Sequence, residues 1–169
     1  ALDMMHASSV ERFVPTVVGT NDYRDAAGSD IVVVTAGLPR KPGMTRDDLL
    51  QANAGIVKAV ITDALEASPE AIVICVTNPL DAMCHVALEA SGLPSDRVVG
   101  MAGVLDSSRM ASFIAMETGY STLDINTMVL GGHGDTMVPV RSSCLIAGIP
   151  VTKFLDDETL AKIETRTRK

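Results

Sequence analysis

The 169-residue chain has no apolar run of 18 residues, the length a membrane-crossing helix needs, so a membrane span is excluded within this stretch. It has no internal repeat and no low-complexity linker. Basic residues are in deficit, with 14 Lys+Arg against 21 Asp+Glu for a net charge of −7. That balance disfavours nucleic acid and anionic membranes as partners, and an anionic ligand must be met by a local cationic site. Cysteine is scarce too. Cys75, Cys84 and Cys144 show neither metal-ligand spacing nor even pairing, which reads as buried free thiols in a reducing cytoplasm. No metal site is expected. An initiating methionine is also missing: the chain opens at Ala1 and stops at Lys169 inside a helical pattern, which reads as the middle of a longer protein.

What is present is ordinary globular composition, 47% hydrophobic and 21% charged. That is enough for one domain with a real core, or for pieces of two. DIVVVTAG (30–37) and AIVICVTNP (71–79) are continuous apolar runs, the pattern of strands buried on both faces of a parallel sheet. Between them, residues 45–68 carry helical periodicity, with Thr45 as N-cap and Asp48 at the capping-box position. Strand, helix, strand is a βαβ unit. Further along, 80–91 predicts a helix stopped by Gly92, 97–101 a short strand, and 107–118 a helix stopped by Gly119. DINTMVLGG (124–132) predicts a strand, 137–151 a strand or hairpin, and 156–169 an amphipathic helix. Near the start, a short helix is expected to end near Ala7 and a strand to occupy 14–20. Clean alternation gives way to a hairpin-like pattern near 103–107, which sets expected domains of 1–105 and 106–169.

The chemistry concentrates in GGHGD (131–135) and VLDSSR (104–109). A histidine is the side chain that gives and takes a proton near neutrality. Asp106 is a candidate to orient it and Arg109 a planar fork for a carboxylate. As alternatives, His133 is a structural turn residue, Asp106 the N-cap of the helix that follows, and Arg109 a solvated helix arginine. An open parallel sheet binds ligands beyond the carboxyl ends of its strands, where Thr35, Ala36, Gly37, Val76, Thr77 and Asn78 fall. Arg40, Lys41 and Arg46 cluster in a Pro/Gly-rich loop suited to closing over a ligand.

TAGLPRKPGMTRDDL, Asn53, VTNPLD, GVLDSSR and GGHGDTMVP together resemble the lactate/malate dehydrogenase family, in its order and spacing over essentially the whole chain. The resemblance implies an α/β fold: an incomplete Rossmann-type parallel sheet, without its N-terminal glycine-rich βαβ part, followed by the start of an α+β catalytic domain. It implies NAD as cofactor and a reversible oxidation of malate to oxaloacetate, with a homodimer or homotetramer as the assembly. His133 is then the acid/base and Asp106 its partner. Arg109 holds the substrate carboxylate, Arg46 polarises the carbonyl, and Asn78 donates to the substrate oxygen. Arg40 stands where lactate dehydrogenases usually carry glutamine, and a second substrate carboxylate wants a second cation. Residues 35–37, Asn53, Val76, Thr77 and Asn78 are implied as cofactor contacts, and Asn78-Pro79 as a cis peptide. The alternatives are a lactate or other 2-hydroxyacid dehydrogenase, and a noncatalytic interaction domain.

Overall fold

The computed structural model describes residues 1–168, without the side chain of Arg46. Three short parallel strands, β1 (Ile31–Val34), β2 (Ile72–Cys75) and β3 (Val98–Gly100), lie in that order. Ile31 aligns with Ile72 and Val73 with Val98. The crossover from β1 to β2 is α2 (Arg46–Ala67), and that from β2 to β3 is α3 (Leu80–Ser91). The start of α2 is fixed by the expected capping box. Thr45 Oγ1 accepts from the Asp48 amide at 3.0 Å, and Asp48 Oδ2 accepts from the Thr45 amide at 2.9 Å. Gly92 ends α3 in a left-handed conformation that an L side chain resists.

Both helices pack on one face of the sheet. Val57 and Ile61 of α2 and Leu80, Met83 and Ala87 of α3 enclose Val34, Val73 and Cys75. Each large aliphatic residue buried this way contributes roughly 1.5–3 kcal/mol. The opposite face differs from expectation: Ile31 is 55% and Val33 57% exposed, and Ile72 and Val99 are also open. The apolar runs are therefore half-buried here, because no described helix covers their second face. The predicted strand at 14–20 does not form either. Val14 and Val18 point to solvent and find no pairing strand, while the preceding helix, α1 (Leu2–Glu11), runs past Ala7 and buries no side chain.

The second half is built on α4 (Gly103–Thr118) and α5 (Asp157–Thr167). Met110 and Ile114 of α4 and Leu160 and Ile163 of α5 form a second core with Ile125, Val129, Met137, Ile146 and Val151. The segment 124–132 is two strands rather than one. β4 (Ile125–Asn126) pairs with β7 (Leu145–Ile146), and β5 (Val129–Gly131) pairs with β6 (Met137–Pro139). The break falls where Thr127 turns its hydroxyl onto the Ser107 carbonyl at 2.7 Å. β8 (Ile149–Pro150) completes a hairpin with β7. Asp156 caps α5 as its carboxylate accepts from the Thr159 amide. The last residue of the predicted helix, Lys169, lies outside the described residues. No helix among them is long and apolar enough to cross a membrane.

Candidate active site

Two strand ends and one helix start frame the site. Beyond Val34 the chain turns through Thr35-Ala36-Gly37, and beyond Cys75 through Val76-Thr77-Asn78. These turns are sewn together: Val76 N donates to the Val34 carbonyl at 2.9 Å and Thr77 Oγ1 to the Ala36 carbonyl at 2.7 Å. Gly37 sits so close to its neighbours that a Cβ there would fall 2.5 Å from Thr77 Cγ2 and 3.2 Å from Asn53 Oδ1. Asn53 itself is buried. Its Oδ1 accepts from the Leu38 amide at 2.7 Å, and its Nδ2 donates to the carbonyls of Leu38 and Asn78. Asn53 is thus the tie between the two turns, its amide spent on backbone. Thr35, Gly37 and Asn78 are exposed at the crevice, and Val76 is half-buried. Asn78-Pro79 is cis, as the resemblance implies.

The catalytic candidates meet across α4 and the β5–β6 hairpin. α4 begins at Gly103, earlier than the sequence pattern indicated, so Asp106 is not its N-cap. The Asp106 amide already donates to the Ala102 carbonyl at 2.9 Å. Its carboxylate is 2% exposed and lies in the first turn, where the helix dipole favours negative charge. α4 is held against β5 by Ser107 Oγ, which accepts from the Val129 amide at 3.0 Å. A Cβ on Gly103 would lie 3.2 Å from the Val129 carbonyl oxygen. That close packing sets the distance from Asp106 to the tip of the hairpin.

The tip carries His133. Gly131, at φ +84, bends the chain into a turn closed by the Met137 amide on the Gly134 carbonyl at 3.0 Å. His133 Nδ1 lies 2.9 Å from Asp106 Oδ2. With Nδ1 on a carboxylate, the proton is assigned to that nitrogen, which leaves Nε2 as the ring's acceptor. Asp106 Oδ1 is buried without a hydrogen-bond partner, and Arg109 Nη1 stands 3.6 Å from it, an ion pair rather than a hydrogen bond. The same Nη1 donates to the Thr167 carbonyl at 3.3 Å. Asp106 therefore joins His133 to Arg109.

A cleft of about 630 Å³ opens beside this pair, lined among others by Arg40, Asn78, Asp81, His133, Thr136 and Arg168. Arg40 is exposed, its Nε donating to the Met44 carbonyl at 3.4 Å. The side chain of Arg46 lies outside the described residues. Two contributors were not singled out from sequence. Asp81 Oδ1 accepts from the His133 amide at 3.4 Å; it sat within VTNPLD, but nothing local ties it to the histidine 52 residues on. Arg168 had no sequence signal at all. A larger hollow of about 750 Å³ between α4 and β4–β5 is lined by no titratable side chain.

A parallel-sheet crevice beside the half-buried His133 and the buried Asp106 defines an α/β chain of the dinucleotide-binding type, with a candidate acid/base pair at its edge. Residues 1–100 match the lactate/malate dehydrogenase NAD binding domain, and 103–169 the lactate/malate dehydrogenase alpha/beta C-terminal domain. The chain belongs to the lactate/malate dehydrogenase family. It is 55% identical to a Synechocystis malate dehydrogenase over 99% of its own length and 52% of that protein. The solved malate dehydrogenase of Salinibacter ruber matches at TM-score 0.87 and 47% identity, over 99% of this chain and 53% of that one. The Cryptosporidium parvum lactate dehydrogenase complexed with lactic acid and nicotinamide adenine dinucleotide matches at TM-score 0.85 and 43% identity, over 99% and 55%. The chain spans about half the length of the relatives it matches.

Proposed function

We propose that this chain supplies the substrate-facing part of an NAD-dependent malate dehydrogenase, interconverting (S)-malate and oxaloacetate. The observation that carries the reading is the 2.9 Å contact of His133 with buried Asp106 beside a cleft that also holds Arg40 and Asn78. Bound nicotinamide supplies the hydride acceptor or donor. The turns at 35–37 and 76–78 suit that cofactor: their backbone lies open at the strand ends, and the lack of a side chain at Gly37 lets it pack on Thr77 and Asn53. Thr35, Ala36, Gly37, Val76, Thr77 and Asn78 would border it, with Asn53 holding the turns in place.

On the substrate side, Arg109 grips the carboxylate next to the reacting carbon, and Asn78 donates to the substrate oxygen. His133 Nε2 delivers a proton to that oxygen during reduction and removes it during oxidation. Asp106 fixes the ring tautomer and orientation, as a buried aspartate does in a serine-protease triad. Arg40, with Arg46 polarising the carbonyl, meets the distal carboxylate. The relatives include a lactate dehydrogenase, which makes a 2-hydroxy monocarboxylate the second reading; Arg40 argues for the dicarboxylate.

The nucleotide-binding and catalytic units divide before Gly103 in this reading rather than at 105, because α4 is unbroken across that point. The apolar residues Leu2, Met4, Met5 and Val10 exposed on α1 support assembly into a dimer or tetramer, and the three free thiols a reducing cytoplasm. The test is turnover by a protein of the relatives' full length that contains this chain. Oxaloacetate reduction with NADH should exceed pyruvate reduction by at least a hundredfold in kcat/KM, on the order expected for a site built around a second carboxylate. A preference for pyruvate would overturn the assignment.

A further inference from the structure

The cleft holds one cation that the proposed reaction leaves without a task. Arg168 follows the last turn of α5, is half-buried, and shares the cleft lining with Arg40, Asn78 and His133. Its Nε donates to the Met137 carbonyl at 3.3 Å, which uses one of five guanidinium donors. Among the described residues, the other arginines withdrawn from solvent each face a carboxylate: Arg97 meets Glu70, Arg141 meets Asp157 and Glu164, and Arg109 meets Asp106. Among the described residues, no carboxylate stands within ion-pair distance of Arg168.

The charge around it sharpens the point. Asp47, Asp81 and Asp135 also line the cleft, so Arg40 alone would leave a surface that repels an anion. A half-buried guanidinium with unused donors is, by contrast, a receptor for a planar anion. We infer that Arg168 is a further substrate-binding residue, which pairs with the distal carboxylate of the dicarboxylate alongside Arg40 and sharpens selection for that class. The inference rests on the dicarboxylate reading above.

Its test uses Arg168→Met, which keeps the aliphatic stem, and Arg168→Lys, which keeps the charge, in a protein of the relatives' full length. Thermal unfolding confirms that each variant is folded. Arg168→Met should raise KM for oxaloacetate about tenfold or more, the scale of one lost charge-assisted contact, while kcat and the pyruvate KM stay within about threefold. Arg168→Lys should fall between, having charge without the fork. An equal rise in KM for both substrates, a fall in kcat alone, or no change in KM would overturn the inference and leave Arg168 as an anchor of the β5–β6 hairpin through Met137. A wild-type protein that prefers pyruvate fails the dicarboxylate reading itself, a result visible before any variant is made.

Discussion

His133 Nδ1 and Asp106 Oδ2 lie 2.9 Å apart, although 27 residues separate them in the chain. The contact exists because α4 is clamped to β5 through Ser107 and Thr127, which leaves Asp106 under the hairpin tip. Replacing Asp106 with Asn keeps the shape but presents an amide where the ring needs an acceptor. Asp106→Asn should lower kcat by roughly 10²–10⁴, while KM moves little. A loss below tenfold in steady-state kinetics would remove Asp106 from the catalytic pair.

Arg40 tests the substrate class. Arg40→Gln removes the cation proposed for the distal carboxylate and should cut kcat/KM for oxaloacetate by about 10–100-fold, the value of a charge-assisted contact. Pyruvate turnover should hold or rise. Equal losses on both substrates would show Arg40 shaping its loop, where its Nε already meets Met44, rather than reading the ligand.

Gly131 tests the hairpin. It stands at φ +84, and an added Cβ would lie 2.6 Å from the Thr136 carbonyl oxygen, backbone that cannot step aside cheaply. Gly131→Ala should destabilise the protein by about 2–4 kcal/mol, combining left-handed strain with overpacking. Chemical denaturation reads the loss, and a midpoint unchanged from wild type would contradict the turn geometry.

The thiols should react in a fixed order. Hydrogen bonding between the two thiols holds Cys84 below the ordinary cysteine range and, with burial, pushes Cys75 above it. Burial pushes Cys144 up. Only Cys84 is both half-buried and more acidic, so iodoacetamide near neutral pH should label it first by peptide mass spectrometry. Faster labelling of Cys75 or Cys144 would reverse the assignment.

Local signals carried most of the regular structure. Thr45 and Asp48 announced the start of α2, and Gly92 and Gly119 announced where α3 and α4 stop, because caps are decided by residues a few positions apart. The failures were of another kind. Residues 14–20 have the apolar content of a strand, but a strand needs a partner, and none lies beside Val14 or Val18. The runs at 30–37 and 71–79 are apolar on both sides, yet only one side meets helices among the described residues. The pairing of Asp106 with His133 is offered by residue type and strengthened by resemblance, and the 2.9 Å contact agrees, although no local pattern links a helix start to a distant turn. Resemblance implies Asn53 as a cofactor contact; that its amide also ties the backbone of Leu38 to that of Asn78 has no local signal in the sequence. Arg168 left no trace at all, for its place in the cleft depends on how α5 packs against α4.

The most direct test of the account is His133→Asn in a protein of the relatives' full length, with NADH binding followed by fluorescence and oxaloacetate reduction by absorbance. NADH affinity should stay within a few-fold, because the proton carrier does not hold the cofactor, while kcat should fall by about 10²–10⁴. Turnover within tenfold of wild type would contradict the central claim that this imidazole, set by Asp106, moves the proton.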